Sequence, residues 1–171
     1  RFISSILELS KIQSNELHIK LESKDVNDVI ERCVDSFLHK AQTKNIRIQC
    51  QYEPLFPIKI DTGLISKVIN NLIDNALNYS APGSQIEVAT SEHNQGVKIT
   101  VRDHGVGISQ EDLPNLFSRF YRGKNNLSQG ISGSGLGLYL TKFFVEAHGG
   151  HVRVDSTQNV GTTFTIWIPE T

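Results

Sequence analysis

The segment Lys67-Val-Ile-Asn-Asn-Leu-Ile-Asp-Asn-Ala-Leu-Asn78 puts two chemistries on one helix. With about 100° per residue and Asn71 as origin, Asn75 lies about 40° away and Asn78 about 20° to the other side. Ile69, Leu72, Ile73, Ala76 and Leu77 fall between roughly 100° and 240°, an apolar face opposite the amides. An amide stripe can be no more than a solvated face. Asn, however, is a poor helix former, and exposed faces favour Glu, Lys, Gln or Arg. A short neutral amide instead offers a carbonyl oxygen to a hard cation and an NH₂ to a phosphate.

Working outward, Asp61-Thr62 opens this helix and it runs to about Tyr79. Upstream, the apolar spacing of residues 1–13 predicts a helix that Ser14-Asn15 breaks, followed by a strand-like connector from His18 to Glu22. Ser23 to about Thr43 reads as a second amphipathic helix, capped by Asp25 or Ser23. Asn45 to Tyr52 alternates as a strand, and Pro54 and Pro57 mark a loop. Downstream, Ile86–Ala89 and Val97–Val101 read as strands about a turn at Asn94-Gln95-Gly96. A short helical stretch is predicted over Ser109–Arg119, a polar loop over Gly123–Gly135 and a helix over Leu136–His148. Strands follow at Val152–Asp155 and Thr163–Ile168. This order predicts an α+β class: a two-layer α/β sandwich whose mixed, mainly antiparallel sheet carries helices on one face.

Two glycine segments flank the polar loop. Asp103-His-Gly-Val-Gly-Ile108 follows a strand, and Gly105 and Gly107 would let the backbone turn and approach a ligand. The same composition also makes an ordinary turn. Gly133-Ser-Gly-Leu-Gly-Leu138 feeds a helix N-terminus, an arrangement that aims N–H groups and a helix dipole at an anion. It lacks the Gly-Lys-Ser/Thr of a Walker loop, and it follows a loop where a Rossmann fingerprint follows a strand. Between the two lies Leu116-Phe-Ser-Arg-Phe-Tyr-Arg122, in which Phe117 and Phe120 are expected to anchor the loop in the core.

Composition narrows the classes. The 171 residues carry 17 Lys plus Arg against 18 Asp plus Glu, a net charge of −1, so no basic excess recommends nucleic acid or an anionic membrane. No run approaches the ~20 apolar residues of a membrane span, and no leader peptide is expected. With no Met, Arg1 is not expected to be a translation start, and the chain reads as a piece of a longer protein. Cys33 and Cys50 lack a CxxC partner. They fit buried or half-buried residues of a reduced, intracellular setting better than a disulfide framework or zinc site.

Taken in order, these motifs resemble the ATP-binding catalytic domain of sensor histidine kinases, a Bergerat-type fold shared with chaperone, gyrase and mismatch-repair ATPases. The asparagine helix resembles the N box, 103–108 the first glycine box, 116–122 the F box and 133–138 the second glycine box. Leu7-Glu-Leu-Ser-Lys-Ile-Gln-Ser14 is similar to the end of a dimerisation and phosphoacceptor helix. The resemblance thus implies a stub at 1–14 and a catalytic domain at 15–171.

It further implies ATP and Mg²⁺ as cofactors. Asn75 would ligate Mg²⁺ with Asn71 in support, Asp103 would accept from the adenine amino group, and Tyr79 and Ile108 would line the adenine pocket. Gly133, Ser134, Gly135, Leu136 and Gly137 would wrap the phosphates, and Arg122 would reach them from the base of a lid at 123–132. Gly105, Gly107, Tyr121 and Leu138 complete the implied nucleotide contacts. Asn78 departs from the Lys or Arg frequent there in the family, which predicts weaker ATP affinity unless Lys124 or Arg122 substitutes. Implied partners are an upstream dimerisation domain and a response-regulator receiver domain, with no nucleic acid. The parent would be a homodimer and this piece a monomer, placed in the cytoplasm on a parent that is often membrane-anchored.

None of His18, His39, His93, His104, His148 and His151 begins a phosphoacceptor-type segment, so the acceptor histidine is expected upstream. His104 and His148 read as polar turn and helix-end residues. Two alternatives stay open: an ATP-gated clamp like the chaperone members, and a catalytically silent nucleotide-sensing module.

Overall fold

The computed structural model describes residues 2–14, 16–123 and 133–170. Among the described residues four helices, α1 (Phe2–Gln13), α2 (Val26–Thr43), α3 (Thr62–Tyr79) and α4 (Gly137–Ala147), alternate unevenly with seven strands. β2 (Arg47–Tyr52), β4 (Gln85–Glu92), β5 (Gly96–Asp103), β7 (Gly161–Pro169) and β6 (His151–Thr157) form one sheet in that spatial order. β2 and β4 run parallel, because the connection between them crosses through α3, and every other pair is antiparallel. α2, α3 and α4 cover one face, giving the expected two-layer α+β arrangement.

The apolar face deduced for the asparagine helix is the face that packs. Ile69, Leu72, Ile73, Ala76 and Leu77 are all buried, against sheet residues such as Ile86, Ile99 and Ile166. Burying each large aliphatic side chain is worth about 1.5–3 kcal/mol. This burial fixes the opposite, amide-bearing face toward the cleft.

Caps set the helix starts. Asp25, not Ser23, caps α2, accepting from Asn27 N–H at 2.8 Å. Ser23 instead lies in β1 (Glu22–Lys24), which pairs with β3 (Ile58–Ile60). Sequence patterning reads β3 as loop, since three residues after two prolines show no usable alternation. Asp61 caps α3 through Leu64 N–H at 3.0 Å. The β4–β5 turn holds Asn94 at φ 47° and Gln95 at φ 54°, the two left-handed positions of a type I′ hairpin.

Three expectations are corrected. The stretch 109–119 is no helix: it forms one 3₁₀ turn, Leu113–Asn115, with i→i+3 bonds such as Leu116 N–H to Leu113 O. Pro114 has no N–H to continue a helical ladder. Phe117 reaches the core edge-on to Phe164, at 6.5 Å between ring centroids, but Phe120 is 58% exposed and anchors nothing there. Cys33 is buried as expected, whereas Cys50 lies exposed on edge strand β2, and both are free.

Candidate functional site

An open cleft of about 1220 Å³ lies between the amide face of α3, the start of α4 and the segments around 103–108 and 121–123. Asn71, Asn75, Asn78, Tyr79, Asp103, Gly107, Ile108, Tyr121, Arg122, Gly133, Ser134, Gly135, Gly137 and Leu138 line it. The residues singled out from four separate stretches of sequence therefore share one cavity. Gly105 and Leu136 do not reach it, for reasons of packing given below. Lys124 and positions 124–132 of the expected lid lie outside the described residues.

The three amides differ in their surroundings. Asn71 Nδ2 donates to Thr141 Oγ1 of α4 at 2.9 Å, so Asn71 braces one helix against the next. Gly137 permits that approach, since a Cβ there would lie 2.2 Å from Asn71 Oδ1. Asn75 is half-buried in the cleft wall, leaving its amide for a solute. Asn78 accepts from Lys40 Nζ at 3.2 Å, in the last turn of α2, and from Lys44 Nζ at 3.4 Å, at its C-cap.

Asp103 ends β5 and is buried. Burial pushes its carboxyl above the usual range, while the N–H groups of Gly105 and Thr162 and the nearby His104 act in the other direction. Gly105 N–H donates to Asp103 Oδ1 at 2.9 Å, a local turn that fixes the carboxylate. The glycines here serve packing within the chain. A Cβ on Gly105 would stand 2.3 Å from Tyr79 O, and one on Gly107, at φ +64°, 2.1 Å from Thr157 O. Val106 N–H donates to Tyr79 O at 3.2 Å and Ile108 N–H to Ser156 Oγ at 2.8 Å. The turn is thereby clamped between the end of α3 and the β6–β7 connection.

At the other wall, Leu136 is fully buried and anchors the second glycine segment in the core. Its N–H donates to Ser134 Oγ at 3.2 Å. Tyr121 donates from its hydroxyl to Asp112 Oδ1 at 2.6 Å, and that hydrogen bond raises the phenol's pKa. Burial raises the pKa of Tyr79, and the positive charge of Arg122 partly offsets this. His148 behaves as the helix-end residue expected, taking Asp61 N–H on Nε2 at 3.0 Å beside a 2.6 Å contact between Nδ1 and Phe144 O.

Sequence patterning misses Lys40, Lys44, Asp74, Asp112 and Thr141, all of which line the cleft. Thr141 is foreseeable as the residue one turn beyond Gly137 on α4. The two lysines are not, because nothing in the spacing of α2 aims its last turn at α3. The arrangement as a whole offers a buried acceptor beside the apolar Ile108 and Phe164, suited to a flat base bearing an amino group. Amides and cations, suited to phosphates, line the same cleft.

Residues 60–171 match the family model described as histidine kinase-, DNA gyrase B-, and HSP90-like ATPase. The chain is 32% identical over 168 residues to the sensor-like histidine kinase SenX3 of Mycolicibacterium smegmatis, covering 98% of this chain and 44% of that protein. It is 32% identical over 172 residues to the sensor histidine kinase WalK of Bacillus subtilis, covering 99% of this chain and 28% of that protein. The chain thus spans less than half the length of these relatives. The solved catalytic domain of histidine kinase ThkA superposes with a TM-score of 0.78 at 25% identity, covering 89% of this chain and 97% of that one. The match across both glycine segments and the amide helix joins the geometry of the cleft: this chain belongs to the histidine kinase-, DNA gyrase B- and HSP90-like ATPase family, as an ATP-binding domain.

Proposed function

We propose that this chain is the ATP-binding catalytic domain of a sensor histidine kinase, which binds Mg-ATP and donates its γ-phosphoryl group to a histidine on an upstream dimerisation domain. The observation that carries the reading is the convergence of Asn75, with its half-buried amide, and the buried Asp103 on one cleft of an ATPase-family domain. The kinase assignment draws on the names of the relatives.

Asn75 fits a hard cation through its carbonyl oxygen, and Asn71 is braced beside it. Among the described residues there is no cluster of three His, Cys, Asp or Glu side chains to hold a metal alone. That donor set suits an ion carried chiefly by phosphate oxygens. Mg²⁺ held there by Asn75 would supply charge neutralisation to the phosphates. Asp103 accepts a hydrogen bond from the adenine amino group, Tyr79 and Ile108 enclose the base, and Gly133, Ser134, Gly135 and Gly137 approach the phosphates with Arg122. In the transfer, the γ-phosphorus leaves the β–γ bridging oxygen, which departs on ADP, as a phosphorus–nitrogen bond forms to imidazole. Relay to a response-regulator receiver domain follows.

Residues 1–14 belong, in this reading, to the dimerisation helix and 15–171 to the catalytic domain. α1 rests on the latter through buried Leu9 and the Glu8–Lys67 ion pair. The parent is a homodimer acting at the cytoplasmic side, while among the described residues no helix is long and apolar enough to cross a membrane. The test is calorimetric titration with Mg-ATP. Binding is expected in the unchanged chain and is lost in Asn75→Ala, with the fold retained by circular dichroism. γ-Labelled ATP plus a purified dimerisation domain should then yield acid-labile, base-stable phosphate. Acid-stable label would refute the histidine assignment.

A further inference from the structure

Asn78 ends the amide stripe, and two ammonium groups from another helix converge on it. Lys40, in the last turn of α2, and Lys44, the residue that caps α2, place Nζ 3.2 Å and 3.4 Å from Asn78 Oδ1. Lys40 also pairs with Asp74, whose Oδ2 accepts from Asn78 Nδ2 at 3.4 Å. Lys44 donates to Leu77 O at 2.9 Å. All four side chains line the cleft.

Two features make this more than surface ion pairing. The stripe lies toward the C-terminal, negative end of the α3 dipole, and α3 has no basic residue in its last turn to offset it. A polyanion along the stripe would meet that negative end with no cation from the last turn of α3, since Lys67, the α3 lysine that lines the cleft, lies about three turns earlier and pairs with Glu8. The lysines supply the counter-charge from α2, and Lys40 remains 36% exposed, open to a solute.

We infer that Lys40 and Lys44 are phosphate-contacting residues of the nucleotide site, with Asn78 and Asp74 as their positioning residues. Asn78 takes no charge itself and holds the ammonium groups on the cleft wall at the end of the amide stripe. The ligand class is a nucleoside di- or triphosphate, and discrimination between them falls partly to α2. This rests on the nucleotide-site reading above and assigns to α2 a role that the motif order does not.

The test compares Mg-ATP and Mg-ADP by calorimetry and adenosine by NMR titration, using the whole chain. Lys40→Met/Lys44→Met is expected to weaken ATP about tenfold, ADP less and adenosine not at all, as loss of a charged hydrogen bond predicts. Lys40→Arg should keep ATP affinity within about threefold, since charge is retained. Asn78→Lys in the double-Met background should recover most of the loss by placing a cation on α3. Should the double variant not fold, Lys40→Met alone gives the same ordering. Unchanged ATP affinity, equal losses for ATP and adenosine, or no recovery by Asn78→Lys would each overturn the inference. If the unchanged chain binds no Mg-ATP, the underlying site reading falls with it. Tight ATP binding that ignores the lysines defeats the α2 assignment alone.

Discussion

A methyl group on Gly137 would lie 2.2 Å from the Asn71 amide oxygen, so the first residue of α4 and the amide face of α3 are fitted to each other. The same Asn71 donates to Thr141 one turn along α4. Gly137→Ala must push Asn71 off Thr141 or part the helices. A loss of about 1–3 kcal/mol is expected, as for overpacking in a filled core. Thr141→Val keeps the volume and removes only the hydrogen bond, at about 1 kcal/mol. Chemical denaturation of both variants checks this, and an unshifted midpoint in Gly137→Ala would show that the helices are not in contact there.

Asp103 gives nucleotide binding an acid limit. Burial raises its carboxyl, so protonation begins above the ordinary value near 3.9. An acceptor for an adenine amino group is fully present above the raised pKa and is lost as pH falls through it. ADP affinity should therefore decline on mild acidification, before ordinary carboxylates titrate. In Asp103→Asn the affinity should be low and flat across the same range. For folding the sign is reversed, because a group more basic in the folded state favours that state increasingly as pH falls. Calorimetric ADP titrations at stepped pH decide the matter, and a parent curve as flat as that of Asp103→Asn would remove Asp103 from the site.

Asp61 acts oppositely on stability. Burial works against its charge, yet the N–H groups of Lys20, Leu64 and Gly63 outweigh that and hold the carboxyl below its usual value. A depressed folded pKa contributes stability that is present above the unfolded value near 3.9 and is lost as pH falls through the folded one. Asp61→Asn should lower stability at neutral pH and flatten the acid limb of a denaturation series. An acid limb as steep as the parent's would point to other carboxylates as its source.

The legible parts of this fold are those where one physical pattern dominates. The period of Ile69, Leu72, Ile73, Ala76 and Leu77 fixed α3 and, by exclusion, the face carrying Asn71, Asn75 and Asn78. Illegible features depend on contacts between distant segments. β3 has three residues and exists because β1 pairs with it. Phe120 has the same side chain as Phe117, and only tertiary packing sends one inward and leaves the other exposed. Lys40 and Lys44 look like ordinary polar residues near the end of α2, and their role emerges only when α2 lies against α3. Gly105 is legible as a special position, but the chain neighbour that its missing Cβ admits, the backbone of Tyr79, is not.

That last distinction yields a matched pair of variants. The Cβ of Gly105→Ala would sit 2.3 Å from Tyr79 O and 2.8 Å from its carbonyl carbon. Backbone at the end of a helix cannot swing away as a side-chain tip can, so the turn must lift from α3. Lifting breaks the Val106 N–H bond to Tyr79 O and disturbs the Gly105 N–H bond to Asp103. Two lost hydrogen bonds and a steric penalty predict about 2–5 kcal/mol of destabilisation. Gly133→Ala meets nothing within 4 Å. Its stability should stay within about 0.5 kcal/mol of the parent, as at an unconstrained surface position. If both glycines served only to admit a ligand, both variants would fold normally and lose nucleotide alone. Urea denaturation of the two proteins without nucleotide separates these cases: a large gap between them places Gly105 in the framework and leaves Gly133 at the ligand.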